Sequence, residues 1–200
     1  MLTQLFQVSI KFTEPILGST PLNKTKYKDW VESKAELTDE QAEDELETIE
    51  EAYDKGKTGF HTENGQLFIY DYVIRGFFKA ACGALRDVKG AYSKGVTAYK
   101  KKIDTKVFVY PRKIILEPGG DVFELERPLR ASTAQGPRVT LAMSDALPEG
   151  TTAEFTVKIL GDVVTEDMII EWLDYGEMSG LGQWRSGSYG RFTYTIAKQS

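Results

Sequence analysis

The chain has 200 residues, a net charge of −5 and one cysteine, Cys82. That length can bury a sizeable core in one large or two small domains. The lone cysteine excludes an internal disulfide and a multi-cysteine zinc site, and it fits a reducing, cytoplasmic setting.

No apolar run approaches the roughly 18 residues of a membrane span. The start, Met1 to Phe6, alternates like a strand and lacks the charged region of a secretory signal. A uniformly basic nucleic-acid binder is excluded by the net charge, yet the charge is segregated. Between Glu32 and Lys55 eleven acids face two lysines, a balance of −9; between Arg86 and Lys113 nine basic residues face two acids, a balance of +7. Such segregation can present one basic face on an acidic protein.

Leu2 to Phe12 reads as a strand, with Leu2, Phe6, Val8, Ile10 and Phe12 on one parity, ended by Glu14-Pro15. Gly18 to Lys28 is a loop. It lacks the second glycine of a phosphate loop, since Asn23 stands there. Thr38 and Gln41 fit a capping box for a helix over about 38–55, whose stripe is Ala42, Leu46, Ile49 and Tyr53 and whose other face is acidic. That face is either solvated or a docking surface for a basic protein.

Lys57 to Gly65 reads as a polar loop carrying His61, the only histidine. Gln66 to Tyr70 is a short strand. Asp71 is then expected to cap a helix to about Arg86 with the stripe Val73, Ile74, Phe77, Phe78, Ala81, Cys82 and Leu85, which places Cys82 in the core. Gly76, Ala80, Gly83 and Ala84 let another backbone pack close, while Arg75 and Lys79 share a face. Gly90 to Thr105 shows no periodicity and reads as a lysine-rich loop. Val107–Tyr110, Lys113–Leu116 and Val122–Glu126 read as strands, with Pro118-Gly119-Gly120 as a hairpin turn. Arg127 to Arg138 is polar and turn-rich, and Val139–Met143 resumes a strand. Ala153–Leu160 alternates clearly. Thr165 caps a last helix that packs through Ile169, Trp172, Leu173 and Gly176, and Arg191–Ile196 is the final strand.

This order gives α+β with mostly antiparallel pairing. The closing strand–helix–strand is half of a ferredoxin-like (RRM-like) unit, and the first strand with the helix after Asp71 can supply the other half. No Pro- or Ser-rich linker interrupts the chain, so residues 1–200 are expected as a single domain with a basic, β-rich insertion at about 87–140.

Between the last helix and the last strand lies the richest stretch, Gly180 to Phe192. Gly180, Gly182, Gly187 and Gly190 alternate with Trp184, Arg185, Tyr189 and Arg191. Glycine permits positive φ and close approach; arginine and aromatic groups suit phosphates and bases. The structural alternative is tight packing between helix and sheet, with Trp184 in the core.

Three stretches together resemble the repeat-associated mysterious protein (RAMP) superfamily, in particular the backbone subunits of CRISPR effector complexes. They are Ile74-Arg75-Gly76-Phe77-Phe78-Lys79-Ala80-Ala81, then Leu147-Pro148-Glu149-Gly150-Thr151 followed by Phe155, then Gly180-Leu181-Gly182 with Arg185-Ser186 and Tyr189-Gly190-Arg191. The resemblance spans about half of the chain and also fits a standalone or virus-encoded relative. It implies a ferredoxin-like RAMP core, antiviral defence, and non-catalytic binding of single-stranded RNA. Arg75, Lys79, Gly180, Gly182, Trp184, Arg185, Gly187, Tyr189, Gly190 and Arg191 would carry that binding. Implied partners are CRISPR effector proteins or further copies of the chain. A virus-encoded inhibitor of such a complex is the alternative, and a guide-RNA-processing endoribonuclease using His61 with Tyr70 or Tyr72 is a second. Asp29 is a poor match for a cleaving loop aspartate. No cofactor and no metal site is expected.

Overall fold

The parity read in the N-terminal segment is the parity of burial. In β1 (Thr3–Phe12), Phe6, Val8, Ile10 and Phe12 are buried while the residues between them are not. The computed structural model describes residues 3–23, 56–133 and 136–199, without the side chains of 129–140. The acidic helix expected over 38–55, Asp29, and the side chains of Arg130 and Arg138 lie outside the described residues.

After β1 come β2 (Ile16–Leu17), β3 (Thr20–Pro21), β4 (Thr58–Gly59), β5 (His61–Glu63), β6 (Gln66–Tyr70), α1 (Asp71–Leu85) and α2 (Tyr99–Lys106). β7 (Val107–Tyr110), β8 (Lys113–Glu117), β9 (Phe123–Thr133), β10 (Gly136–Leu147), β11 (Thr152–Leu160), α3 (Glu166–Ser179) and β12 (Phe192–Gln199) follow.

A seven-stranded sheet runs β12-β1-β11-β8-β6-β5, with β7 also pairing β11. β1 lies antiparallel between β11 and β12, with Val8 opposite Phe155 on one side and Ile196 on the other. A five-stranded sheet runs β2-β10-β4-β3, with β9 on β10. Among the described residues its one parallel contact joins Ser144 to Thr58. The fold is α+β, and among the described residues no helix is long and apolar enough to cross a membrane.

α1 and α3 share the core with the first sheet. α1 buries Ile74, Phe77, Phe78, Ala81 and Cys82, and α3 buries Met168, Ile169, Trp172 and Leu173. Phe78 and Trp172 meet with ring centroids 5.4 Å apart. Full burial of each large apolar side chain contributes about 1.5–3 kcal/mol. At Gly176 α3 packs tightly on β12: a Cβ there would stand 2.2 Å from the Phe192 ring. Thr165 caps α3 as expected, its hydroxyl accepting from the Met168 amide at 3.3 Å.

Five local expectations are corrected. The segment 57–65 is not a polar loop but strands β4 and β5, joined to β6 by the left-handed Asn64-Gly65 turn. Polar composition hid a strand whose His61 packs on aromatic neighbours. Asp71 is the first residue of α1, not its cap; its carboxylate takes Arg75 at 3.0 Å instead. The end of the lysine-rich segment, Tyr99–Lys106, forms α2, while 90–98 is irregular as expected; Tyr99 packs over Gly83 of α1 and Ile103 is buried, so two anchors suffice. Pro118-Gly119-Gly120 is no hairpin turn, since β8 and β9 pair with different strands. Gly119 packs against the Glu149-Gly150 turn, where a Cβ would meet the Glu149 carbonyl at 2.3 Å. Residues 127–133 and 136–138 are not turn-rich but belong to the antiparallel strands β9 and β10, in which Arg127 stands opposite Ala142.

Candidate nucleic-acid interface

The glycine loop leaves α3 and doubles back on itself. The Leu181 amide donates to Gly190 O at 2.8 Å, and the Gly190 amide donates to Pro15 O at 2.9 Å. Gly180 and Gly190 both hold positive φ, +81° and +72°. A Cβ at Gly180 would lie 2.3 Å from Tyr189 O, and one at Gly190 only 1.9 Å from Leu181 O. These two glycines therefore serve close packing, the structural role that the sequence left open for them. Arg191 belongs to the same end of the loop: its Nε donates to Met178 O at 2.9 Å, placing a cation at the α3 C-terminus.

The far end of the loop is built differently. Trp184 has φ +50° and Ser188 +70°, both left-handed without glycine's freedom. Trp184 is 39% exposed, so it is not a core residue. It stacks on Tyr189 (centroids 5.1 Å, interplanar 16°), and the Arg127 guanidinium lies 4.9 Å from its ring centroid. Gly187 makes room for it, since a Cβ there would come within 2.9 Å of the indole.

Gln183 ties this end to the second sheet. Its Oε1 accepts from Arg127 Nη2 at 2.6 Å and Ser144 Oγ at 3.4 Å, and its Nε2 donates to Thr58 Oγ1 at 3.3 Å. Sequence reasoning missed Gln183. No local signal marks it, because its partners Arg127, Ser144 and Thr58 are remote in the chain.

Between the loop and α1 runs a groove of about 290 Å³, lined by Ser19, Tyr72, Val73, Gly76, Phe77, Leu181, Gly182, Gln183 and Arg185. Gly76 has open space where a Cβ would be. An adjoining hollow of about 680 Å³ shares Gly182 and Arg185 and adds Ala80, Tyr175, Ser179, Trp184 and Ser186. The structure thus brings Gly182, Trp184 and Arg185 together with α1. Arg75 and Lys79 stand elsewhere on that helix, ion-paired with Asp71 and Asp104.

The chain is similar to a chain in a cryo-EM structure of the Type III-B Cmr-beta bound to cognate target RNA. The match has 12% identity and a TM-score of 0.48, and it covers 98% of this chain and 61% of the other. The chain therefore spans about three fifths of that neighbour's length. No family model and no curated protein matches it.

His61 is buried, 2% exposed, rather than on a solvated loop. It stacks on Phe68 at 5.4 Å and meets the Tyr70 edge at 4.7 Å. Burial, helped by the nearby Lys113 charge, lowers its pKa to about 3. An imidazole held neutral and covered by rings is a weak general base for an external strand. Cys82 is buried, and burial raises its thiol pKa, which makes it an inert core residue. Among the described residues no three His, Cys, Asp or Glu side chains gather as a metal-ion cluster.

Proposed function

We propose that the groove between α1 and the glycine loop binds single-stranded RNA without cutting it, in a RAMP-like protein of the effector-backbone kind. The observation that carries this reading is the groove itself, where Arg185 and the side-chain-free backbones of Gly76 and Gly182 border one channel. A strand's phosphates need such close approach and a charge-assisted donor. Arg185 supplies the charge. Arg75, Lys79 and Arg191 would act at most indirectly, through the ion pairs and the helix contact that hold them.

The strand order supports a ferredoxin-like core. β1, α1, β7, β11, α3 and β12 follow one another in the chain as β-α-β-β-α-β, and their order in the sheet is β12-β1-β11-β7. On this reading residues 1–200 form a single domain, and the insertion expected at about 87–140 is interrupted by β7, which belongs to the core, and extends β9–β10. Effector proteins or further copies of the chain are the proposed protein partners, in a cytoplasmic setting.

A filter-binding titration with labelled single-stranded RNA tests the reading. Binding should weaken steeply with salt, and Arg185→Ala should weaken it about tenfold, the loss of one charge-assisted contact. Binding that is absent, or indifferent to both salt and Arg185→Ala, rejects it.

The −9 balance of residues 32–55 favours a second reading, an interaction protein that docks a basic surface of an effector complex. Charge reversal at Glu43, Glu47 and Glu50 should then abolish capture of the effector proteins, and unchanged capture would exclude it.

A further inference from the structure

Among the described residues, Arg127 is the one strongly buried cation that the groove reading does not use. It is 7% exposed, yet only Nη2 is satisfied, by Gln183; Nε and Nη1 are buried and make no hydrogen bond among the described residues. No carboxylate among the described residues pairs with it. Glu124 and Asp145, opposite each other on β9 and β10, are held by Lys57, at 2.6 and 2.9 Å. An unpaired buried guanidinium is costly, and native folds seldom keep one without a use.

What covers it is under strain of its own. Trp184 lies over Arg127 in a left-handed backbone conformation that bulky residues rarely adopt, and Trp184 also lines the open hollow beside Arg185. The ring fits there because Gly187 has no side chain.

We propose that Arg127 is an oxyanion receptor, closed in this structure by the Trp184–Tyr189 pair, which takes a backbone phosphate of the bound strand once Trp184 moves off it. This rests on the strand-binding reading for the source of the phosphate, while the receptor itself is a separate claim. Gln183 holds Nη2 and fixes the orientation of the guanidinium. Nε and Nη1 supply the charge-assisted donors that a phosphate oxygen accepts. Arg185, on the same rim as Trp184, contacts the strand at the next point along its path.

Two measurements separate the claims. The first uses the whole chain and inorganic phosphate, followed by tryptophan emission against sodium chloride of equal ionic strength. A saturable change is expected in the wild type and should be lost in Trp184→Phe and in Arg127→Gln. No change beyond the chloride control, or an undiminished change in Arg127→Gln, overturns the receptor whether or not RNA binds. The second is the salt dependence of RNA binding. Arg127→Gln should lower the slope of log affinity against log salt by about 0.7, the value of one phosphate contact on a single strand. An unchanged slope with wild-type affinity overturns the role of Arg127 but leaves the groove reading intact. Gly187→Ala supplies the opposite perturbation: it pushes Trp184 off the guanidinium, so phosphate should bind tighter. Weaker phosphate binding in a folded Gly187→Ala protein overturns the lid.

Discussion

Two tryptophan-centred polar clusters tie irregular segments to the frame. At Trp172 the indole N–H donates to Ser93 Oγ at 2.8 Å. Glu171 then accepts from the Tyr92 amide, the Ser93 amide and the Ser93 hydroxyl, at 2.6, 3.0 and 2.6 Å. At Trp184 the ring lies against Tyr189 and Arg127, and two guanidinium nitrogens make no hydrogen bond among the described residues. The first cluster latches the lysine-rich segment to α3 and closes its own hydrogen-bonding account. The second joins the glycine loop to β9 and remains open. A satisfied network stabilises, while an incomplete one around a buried charge costs stability.

The sharpest way to break this comparison is at its satisfied end. Trp172→Ala removes a fully buried indole and should cost about 3–5 kcal/mol in urea unfolding; a smaller loss would mean that the site collapses around the gap. Acid should act nearly as strongly through His61. Its folded pKa of about 3 lies below the ordinary 6.5, so the unfolded chain binds the proton first. Stability is therefore full above pH 6.5 and is lost as pH falls from there towards 3. The loss is on the order of 5 kcal/mol and should be absent in His61→Phe, as followed by thermal melts across that window.

Ser93→Ala should cost about 1–3 kcal/mol, because it strands the Trp172 N–H and removes one donor to Glu171. Arg127→Met should differ in sign. Replacing a buried unpaired charge with an apolar side chain should raise the melting temperature, by about 1 kcal/mol or more of stability, while RNA affinity falls. A drop in both would make the Arg127 cluster a second structural latch and erase the contrast. The smallest effect belongs to Arg191→Ala, which loses one exposed hydrogen bond to Met178 O, worth about 0.5–1.5 kcal/mol.

Residues whose partners lie within a few positions were legible in the sequence. The alternation of β1 and β11, the stripes of α1 and α3 and the Thr165 cap repeat with the period of their own element, and burial follows that period. The candidate site was legible only as a stretch of unusual composition. Gly180 and Gly190 turned out to pack on Tyr189 and Leu181, and Arg75, Lys79 and Arg191 are held by Asp71, Asp104 and Met178. Strand β5 and helix α2 were misread because each is anchored by few residues, His61 by two rings and Tyr99 by Gly83.

The sequence by itself determined an α+β chain, a buried Cys82, a glycine-rich loop between the last helix and the last strand, and a segregated charge, since composition and periodicity are local properties. Only the tertiary structure decided that Gly76 faces Gly182 and Arg185 across a groove, and that Gln183 meets Thr58, Ser144 and Arg127. Those residues come from different sheets and distant segments, and no periodicity within one segment encodes which remote side chain will close against it. The same is true of Nε and Nη1 of Arg127, which make no hydrogen bond among the described residues and lie under the Trp184 ring only in the folded chain.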